Sequence, residues 1–227
     1  MIRIEDVRRE YIDGETHVPA LRGVSLEIEG GEFLSIAGPS GSGKTTLLNI
    51  VGCIDAPDGG TVTVDGDRLA DHSERELVEL RRRKIGFVFQ TFNLIPVLTA
   101  RENVAMALTL LGLPGAEIRR RVDRILAEVG LSGMEDRRPA KLSGGQQQRV
   151  AVARALVKEP LIVLADEPTA NLDSETGESI LRLMKEMNRN RGTTFVFSTH
   201  DRMVMDYADR LCLLHDGRIE SDERRSA

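Results

Sequence analysis

Two glycine-rich stretches of this sequence have the composition to hold phosphate. The first, Gly38-Pro39-Ser40-Gly41-Ser42-Gly43-Lys44-Thr45, fits the pattern G-x-x-x-x-G-K-[ST]. Glycines at 38, 41 and 43 let backbone N–H groups turn inward around phosphate oxygens, and a helix opening at the end of the loop adds positive potential. Lys44 is placed to bridge the β- and γ-phosphates of a nucleoside triphosphate, and the Thr45 hydroxyl to ligate Mg²⁺. The second stretch, Leu142-Ser143-Gly144-Gly145-Gln146, carries no lysine. Its capping hydroxyl and paired glycines ahead of a helix make an anion site from N–H groups and the helix dipole alone. Taken by itself, Ser-Gly-Gly reads better as an ordinary capped helix start.

Carboxylates stand where such a site needs them. The apolar run Leu161-Ile162-Val163-Leu164-Ala165 delivers Asp166 and Glu167 at its C-terminal end. A buried strand has no structural need for adjacent acids at its exit. A Mg²⁺–nucleotide site uses both: Asp166 to hold the metal through water, Glu167 to polarise the attacking water. An isolated acidic pair is commonly no more than the solvated start of a loop. Here, however, the phosphate loop also follows an apolar strand, and in parallel sheets ligands gather beyond that edge. Two more residues fall on it. Gln90 ends Ile85-Gly86-Phe87-Val88-Phe89, and His200 ends Phe195-Val196-Phe197-Ser198-Thr199. A lone histidine after a strand is more often a capped or solvated side chain.

The elements that must position these residues alternate between strand and helix. Met1–Glu5 and Val24–Ile28 alternate apolar with polar residues, as half-buried strands do. Phe33–Ala37 runs into the first loop, and Thr46–Val51 leaves it as a helix. Thr61–Val64 ends in an Asp65-Gly66 turn. Ser73–Glu76 and Thr99–Glu102 have the capping-box form and open helices to Lys84 and to about Leu111. Ile118, Val122, Ile125, Leu126 and Val129 keep helical spacing up to Gly130, a C-cap. Val150–Val157 continues the helix after Ser143. Strands return at Leu161–Ala165, Thr193–Ser198 and Arg210–Leu214, with helices near Ser174–Arg191 and Arg202–Tyr207. The pattern predicts an α/β fold with a mostly parallel sheet and helices on both faces. Residues about 91–158 form a helical insert, and the polar tail 221–227 frays.

The bulk properties bound the rest. At 227 residues the chain can bury a full core. A net charge of −5 argues against broad nucleic-acid binding, and the absence of Trp against a base-stacking surface. Cys53 and Cys212 lie in apolar surroundings, as reduced core thiols of a cytosolic protein do. The start shows no signal-peptide pattern, and the longest apolar stretch, Val104–Leu113, is too short to span a bilayer. The expectation is a soluble chain whose membrane role, if any, comes through a partner.

With Leu142 before it and Gln147-Gln148-Arg149 after it, the Ser143 loop closely resembles the signature of the ATP-binding cassette (ABC) transport ATPases, and the likeness runs from about Ile2 to Glu220. The resemblance implies a P-loop NTPase core of RecA-like type over about 1–90 and 159–220, an antiparallel β subdomain and an inserted α-helical subdomain over about 91–158. It implies that Gln90 senses γ-phosphate, Mg²⁺ and the membrane partner, that His200 contacts γ-phosphate, and that Thr46 joins Gly38–Thr45 on the nucleotide. Ser143, Gly144, Gly145 and Gln146 would contact ATP bound to a second copy, so that two sites are completed only by a head-to-tail homodimer. Asn171-Leu172-Asp173 fits the family's D-loop at the dimer seam, with Ala170-Asn171 in place of the commoner Ser-Ala. Tyr11 sits where the family places an aromatic that stacks on adenine; core packing is the alternative for a tyrosine ending a first strand.

The stretches Gly86–Pro96 and Leu48–Cys53 are similar to the lipoprotein-releasing and macrolide-exporter branch. That likeness implies an integral membrane permease as partner, a peripheral place on the cytoplasmic face of the membrane, and cargo such as lipoprotein, macrolide or peptide. A soluble ABC-type ATPase of DNA repair or translation is the alternative, but the chain between Lys44 and Ser143 leaves room only for a compact helical insert. A nucleotide-binding regulator without turnover would not need Asp166, Glu167 and His200 together. Arg81–Lys84 and Arg119–Arg121 fall on helices rich in acids and read as solvated faces.

Overall fold

The computed structural model describes residues 1–14 and 16–225. The chain divides into two compact units, Met1–Arg81 with the stretch from Thr194 onward, and Arg82–Thr193. The second begins earlier and ends later than the 91–158 insert expected from helical periodicity, because it takes in two strands of its own.

In the first unit, β1 (Ile2–Asp13) pairs antiparallel with β2 (Thr16–Ile28), in register from Ile2↔Ile28 to Ile4↔Leu26 and onward past bulges. Alternation does the work: Ile2, Ile4, Val7, Leu21, Val24, Leu26 and Ile28 are all buried while their neighbours face water. A parallel set follows. β3 (Phe33–Ala37) is buried at every position, as a strand covered on both faces must be. After β3 comes α1 (Lys44–Val51), then β4 (Gly59–Val64) and β5 (Asp67–Arg68), which complete an antiparallel sheet in the order β2-β1-β4-β5. Next is α2 (Glu74–Lys84), opened by Ser73, whose N–H and hydroxyl both donate to Glu76.

In the second unit β6 (Ile85–Phe89) lies parallel to β7 (Ile162–Asp166). Four helices belong to it. α3 (Ala100–Thr109) starts from the Thr99–Glu102 capping box, and α4 (Gly115–Glu128) closes through Gly130 at φ 75°. α5 (Gly144–Leu156) and α6 (Ser174–Arg191) carry the remaining buried stripes.

The chain then returns to the first unit. β8 (Thr194–Thr199) is parallel to β3, α7 (Arg202–Tyr207) follows, and β9 (Arg210–His215) is parallel to β3 on its other side. The rings of Phe33 and Phe197 pack 4.6 Å apart at this core. The tail corrects the expectation of fraying: β10 (Arg218–Arg224) pairs antiparallel with β9. Arg210, nine-tenths buried, holds it there by donating to both carboxylate oxygens of Asp222 at 2.7 and 2.6 Å, to Glu32, and to the Glu27 carbonyl. Periodicity missed β10 because its polar sequence is anchored by ion pairs rather than by apolar alternation. Ser226 and Ala227, the end of the predicted tail, lie outside the described residues.

Candidate functional site

The phosphate loop joins β3 to α1 and is packed from three directions. Gly38 N–H donates to the Thr199 carbonyl at the end of β8. A Cβ at Gly38 would stand 2.0 Å from the Leu214 carbonyl, and one at Gly43 2.4 Å from the Ala20 carbonyl, so both positions require glycine for want of room. Gly217, in the β9–β10 turn, donates its N–H to the Ser42 carbonyl at 3.1 Å. Pro39, Ser40 and Gly41 are exposed at the tip.

Several groups in this loop fit phosphate. The Lys44 ammonium, on a residue only 7% exposed, donates to the Gly38 and Pro39 carbonyls at 2.8 Å each. The Ser42 hydroxyl is buried and has no hydrogen-bond partner among the described residues, an arrangement proteins avoid unless something is bound there. The α1 N-terminus has neither a side-chain cap nor an acid in its first turn, and its positive dipole end favours an anion. Thr45 is exposed and Thr46 half-buried on that first turn.

His200 follows β8 directly and is exposed, in the same unit as the loop. Tyr11 is not a core residue. It is 38% exposed, its hydroxyl donates to Asp55 at 2.8 Å, and the Arg9 guanidinium lies 4.9 Å over its ring. Arg9 is itself fixed by Asp55 and Asp58 at 2.9 and 2.7 Å. Sequence reading did not find this Arg9–Asp55 mount, since the partners are far apart in the chain and no motif links them.

The other expected residues stand in the second unit. The parallel register ends both strands at Phe89↔Asp166, so Gln90 and Glu167 are the residues that follow β6 and β7 at one edge. Asp166 is half-buried and Gln90 exposed, and Glu167 sits in the left-handed region at φ 46°. Non-glycine residues are held in that region only by their surroundings, often at functional sites. The Thr45 hydroxyl, the Asp166 carboxylate and the Gln90 amide are hard oxygen donors of the kind magnesium takes.

The Ser143 loop caps α5. Ser143 Oγ accepts from Gln146 N at 3.3 Å, and Gln146 Oε1 accepts from Ser143 N at 3.0 Å. Both side chains are therefore spent on the cap, and the first turn is offered by backbone N–H groups of Gly144 and Gly145. Gly145 is there because a Cβ would meet Thr176 Cγ2 at 2.5 Å, on the first turn of α6. Asp173 is the α6 N-cap, accepting from Thr176 N at 2.9 Å; hydrogen bonds from the Thr176 side chain first, and then from its backbone, hold its carboxylate below the usual range.

A parallel strand ending in a glycine-rich loop, a lysine turned onto that loop and an uncapped helix N-terminus define a phosphate-loop nucleotide-binding protein. Residues 21–170 match the family model described as ABC transporter. The chain belongs to that family: it is an ATP-binding subunit of the ABC transporter class and an ATPase. It is 48% identical to an ABC transporter ATP-binding protein of Thermotoga maritima, covering 99% of this chain and 96% of that one. It is 47% identical to the macrolide export ATP-binding/permease protein MacB of Brucella melitensis, where the match covers 98% of this chain and 34% of the relative. Among solved structures it is similar to the ATP-binding cassette MJ0796, a protein of Methanocaldococcus jannaschii, captured as a dimer in a post-hydrolysis state with ADP and phosphate. That likeness has a TM-score of 0.91 and 47% identity, and covers both chains completely.

Proposed function

We propose that two copies of this chain close around two ATP molecules, each gripped by Gly38–Thr46 of one copy and by Ser143–Gln146 of the other. Closing and reopening would move a separate integral membrane permease, with this subunit peripheral on its cytoplasmic face. The observation that carries the reading is the division of anion sites: one loop has a lysine, and the other is a capped helix start with only N–H groups to offer. A loop of the second kind adds little to a nucleotide already seated on the first, but completes the cage when it comes from a partner. The relative captured as a dimer supports the homodimer. The permease is supported by the Brucella relative, whose name joins ATP binding to a permease in one chain. Among the described residues no helix is long and apolar enough to cross a membrane. The same relative, named for macrolide export, supports export of a macrolide; lipoprotein or peptide as cargo, and extraction as the mode, rest on the resemblance of Gly86–Pro96 and Leu48–Cys53 alone.

Within the cage, Lys44 binds the β- and γ-phosphates, His200 contacts the γ-phosphate, and Tyr11 stacks on the adenine. Glu167 takes the proton of the attacking water, and Asp173 stands at the dimer seam. Magnesium supplies positive charge against the phosphates when bound with ATP, and Thr45, Asp166 and Gln90 would hold it. The test is Glu167→Gln. It should keep ATP binding, lower turnover by about 10²–10⁴-fold, and accumulate an ATP-bound dimer in size-exclusion chromatography. A variant that stays monomeric with ATP and hydrolyses at the normal rate refutes the proposal.

A further inference from the structure

The backbone just after Gln90 is strained. Phe92 and Asn93 lie in succession in the left-handed region at φ 61° and 48°; asparagine enters it readily, but a phenylalanine keeps it only when its surroundings impose it. Two distant side chains hold the turn. From α5, Arg154 donates one guanidinium nitrogen to the Phe92 carbonyl at 2.8 Å and the other to the Asn93 carbonyl. Burial holds the Arg154 pKa below the ordinary arginine value, which marks a cation drawn out of water to serve backbone oxygens. From the segment after Glu167, Asn171 Nδ2 donates to the Gln90 carbonyl at 2.9 Å.

The same turn touches the Ser143 loop. A Cβ at Gly144 would meet Leu172 Cδ2 at 3.3 Å, and the Asn171 carbonyl and Phe92 Cζ at 3.9 Å each. A fully buried side chain closes the ring of contacts: Gln148, on α5, donates to the Pro168 carbonyl, next to Glu167, at 2.6 Å. We infer that Arg154 and Asn171 are positioning residues that lock Gln90, the Ser143 loop and the Glu167 segment into one body, so that a displacement at any one is carried to the other two. The inference rests on the roles proposed above for Gln90, Ser143 and Glu167. Asn171 is the residue that departs from the family's commoner alanine, and only a donor at that position can make the tether.

The test uses variants that keep volume and remove the link. Asn171→Asp has the same shape but turns the donor into an acceptor facing a carbonyl, at an exposed position where the fold tolerates change. Arg154→Lys keeps the charge but cannot fork to two carbonyls. Each is assayed in the full chain for affinity of a fluorescent ADP analogue, melting temperature, and kcat and KM for Mg·ATP. The expected result is ADP affinity within about twofold of wild type, little change in melting, and kcat lowered about five- to tenfold in each. The double variant should be little worse than either single one, because one linkage has been cut twice. Wild-type kcat in both, or a loss of rate matched by lost stability or lost ADP binding, overturns the inference. Glu167→Gln in the same assay separates the two levels. If it is inactive while Asn171→Asp and Arg154→Lys run normally, only the linkage is wrong; if it turns over normally, the site roles are.

Discussion

Replacing Gly217 by alanine should damage the phosphate loop from a position outside the loop itself. Gly217 lies at φ +72°, and an added Cβ would stand 2.7 Å from the Ala20 carbonyl oxygen and 3.0 Å from Leu21 Cα. These are backbone atoms of β2 and cannot swing aside. The left-handed conformation costs alanine about 1–2 kcal/mol, and overpacking against fixed backbone about 1–3 kcal/mol more. Relief requires the turn to move, which weakens two hydrogen bonds, Gly217 N to Ser42 O and Arg22 N to Gly217 O at 3.1 and 2.8 Å.

Gly66→Ala supplies the control. Gly66 lies at φ +87°, but a Cβ there meets nothing within 4 Å, so it carries the conformational cost alone. The excess at Gly217 is about 2–3 kcal/mol, or roughly 5–10 °C in melting temperature for a chain of this size. Because the lost bond ends on the Ser42 carbonyl, nucleotide affinity should also fall, by about tenfold if half of that excess is felt at the loop. Thermal melts and nucleotide titrations of the two variants side by side give the answer. Equal melting temperatures and equal affinities for Gly217→Ala and Gly66→Ala would refute the reasoning.

Other outcomes follow from the same geometry. Mixing Ser143→Arg chains with Lys44→Ala chains should restore one composite site and part of the ATPase rate; no recovery in a demonstrated heterodimer would argue against contact in trans. Asp222→Asn should cost about 1–2 kcal/mol after allowance for solvent screening. Its hydrogen bonds to Arg210 hold the Asp222 carboxyl below its ordinary 3.8, so this stabilisation is complete above pH 3.8 and disappears as pH falls through the lower folded value. Wild-type and Asp222→Asn melting curves should therefore differ at pH 7 and converge in strong acid. Burial pushes the Cys53 thiol up to about 11 and Cys212 to about 12. Neither should react with iodoacetamide at pH 8 in the native state, and both should after denaturation, as read by mass spectrometry.

The residues proposed to carry chemistry were legible where they lie next to one another. Gly38–Thr45, Asp166-Glu167 and Leu142–Gln146 are local patterns, and each works through the backbone of a few consecutive residues, so the order of side chains specifies them. The capping boxes at Ser73 and Thr99, and the capping hydroxyl of Ser143, were readable for the same reason. So were the buried strands, since a parallel strand covered on both faces must be apolar throughout. Contact in three dimensions alone joined the rest: Arg9 and Asp55 around Tyr11, and Gly217 under Ser42.

By itself, then, the sequence pointed to a nucleoside triphosphate, named candidate residues for it, and showed where the main strands and helices run. Tertiary structure alone decided that β10 is a strand, that Tyr11 stands out of the core, and that Arg154 and Asn171 hold the turn behind Gln90. The physical reason is range. Periodicity and caps act over one or two turns of chain. A guanidinium serving carbonyls some sixty residues away, or a glycine needed because a distant carbonyl leaves no room for Cβ, leaves no trace in the residues beside it.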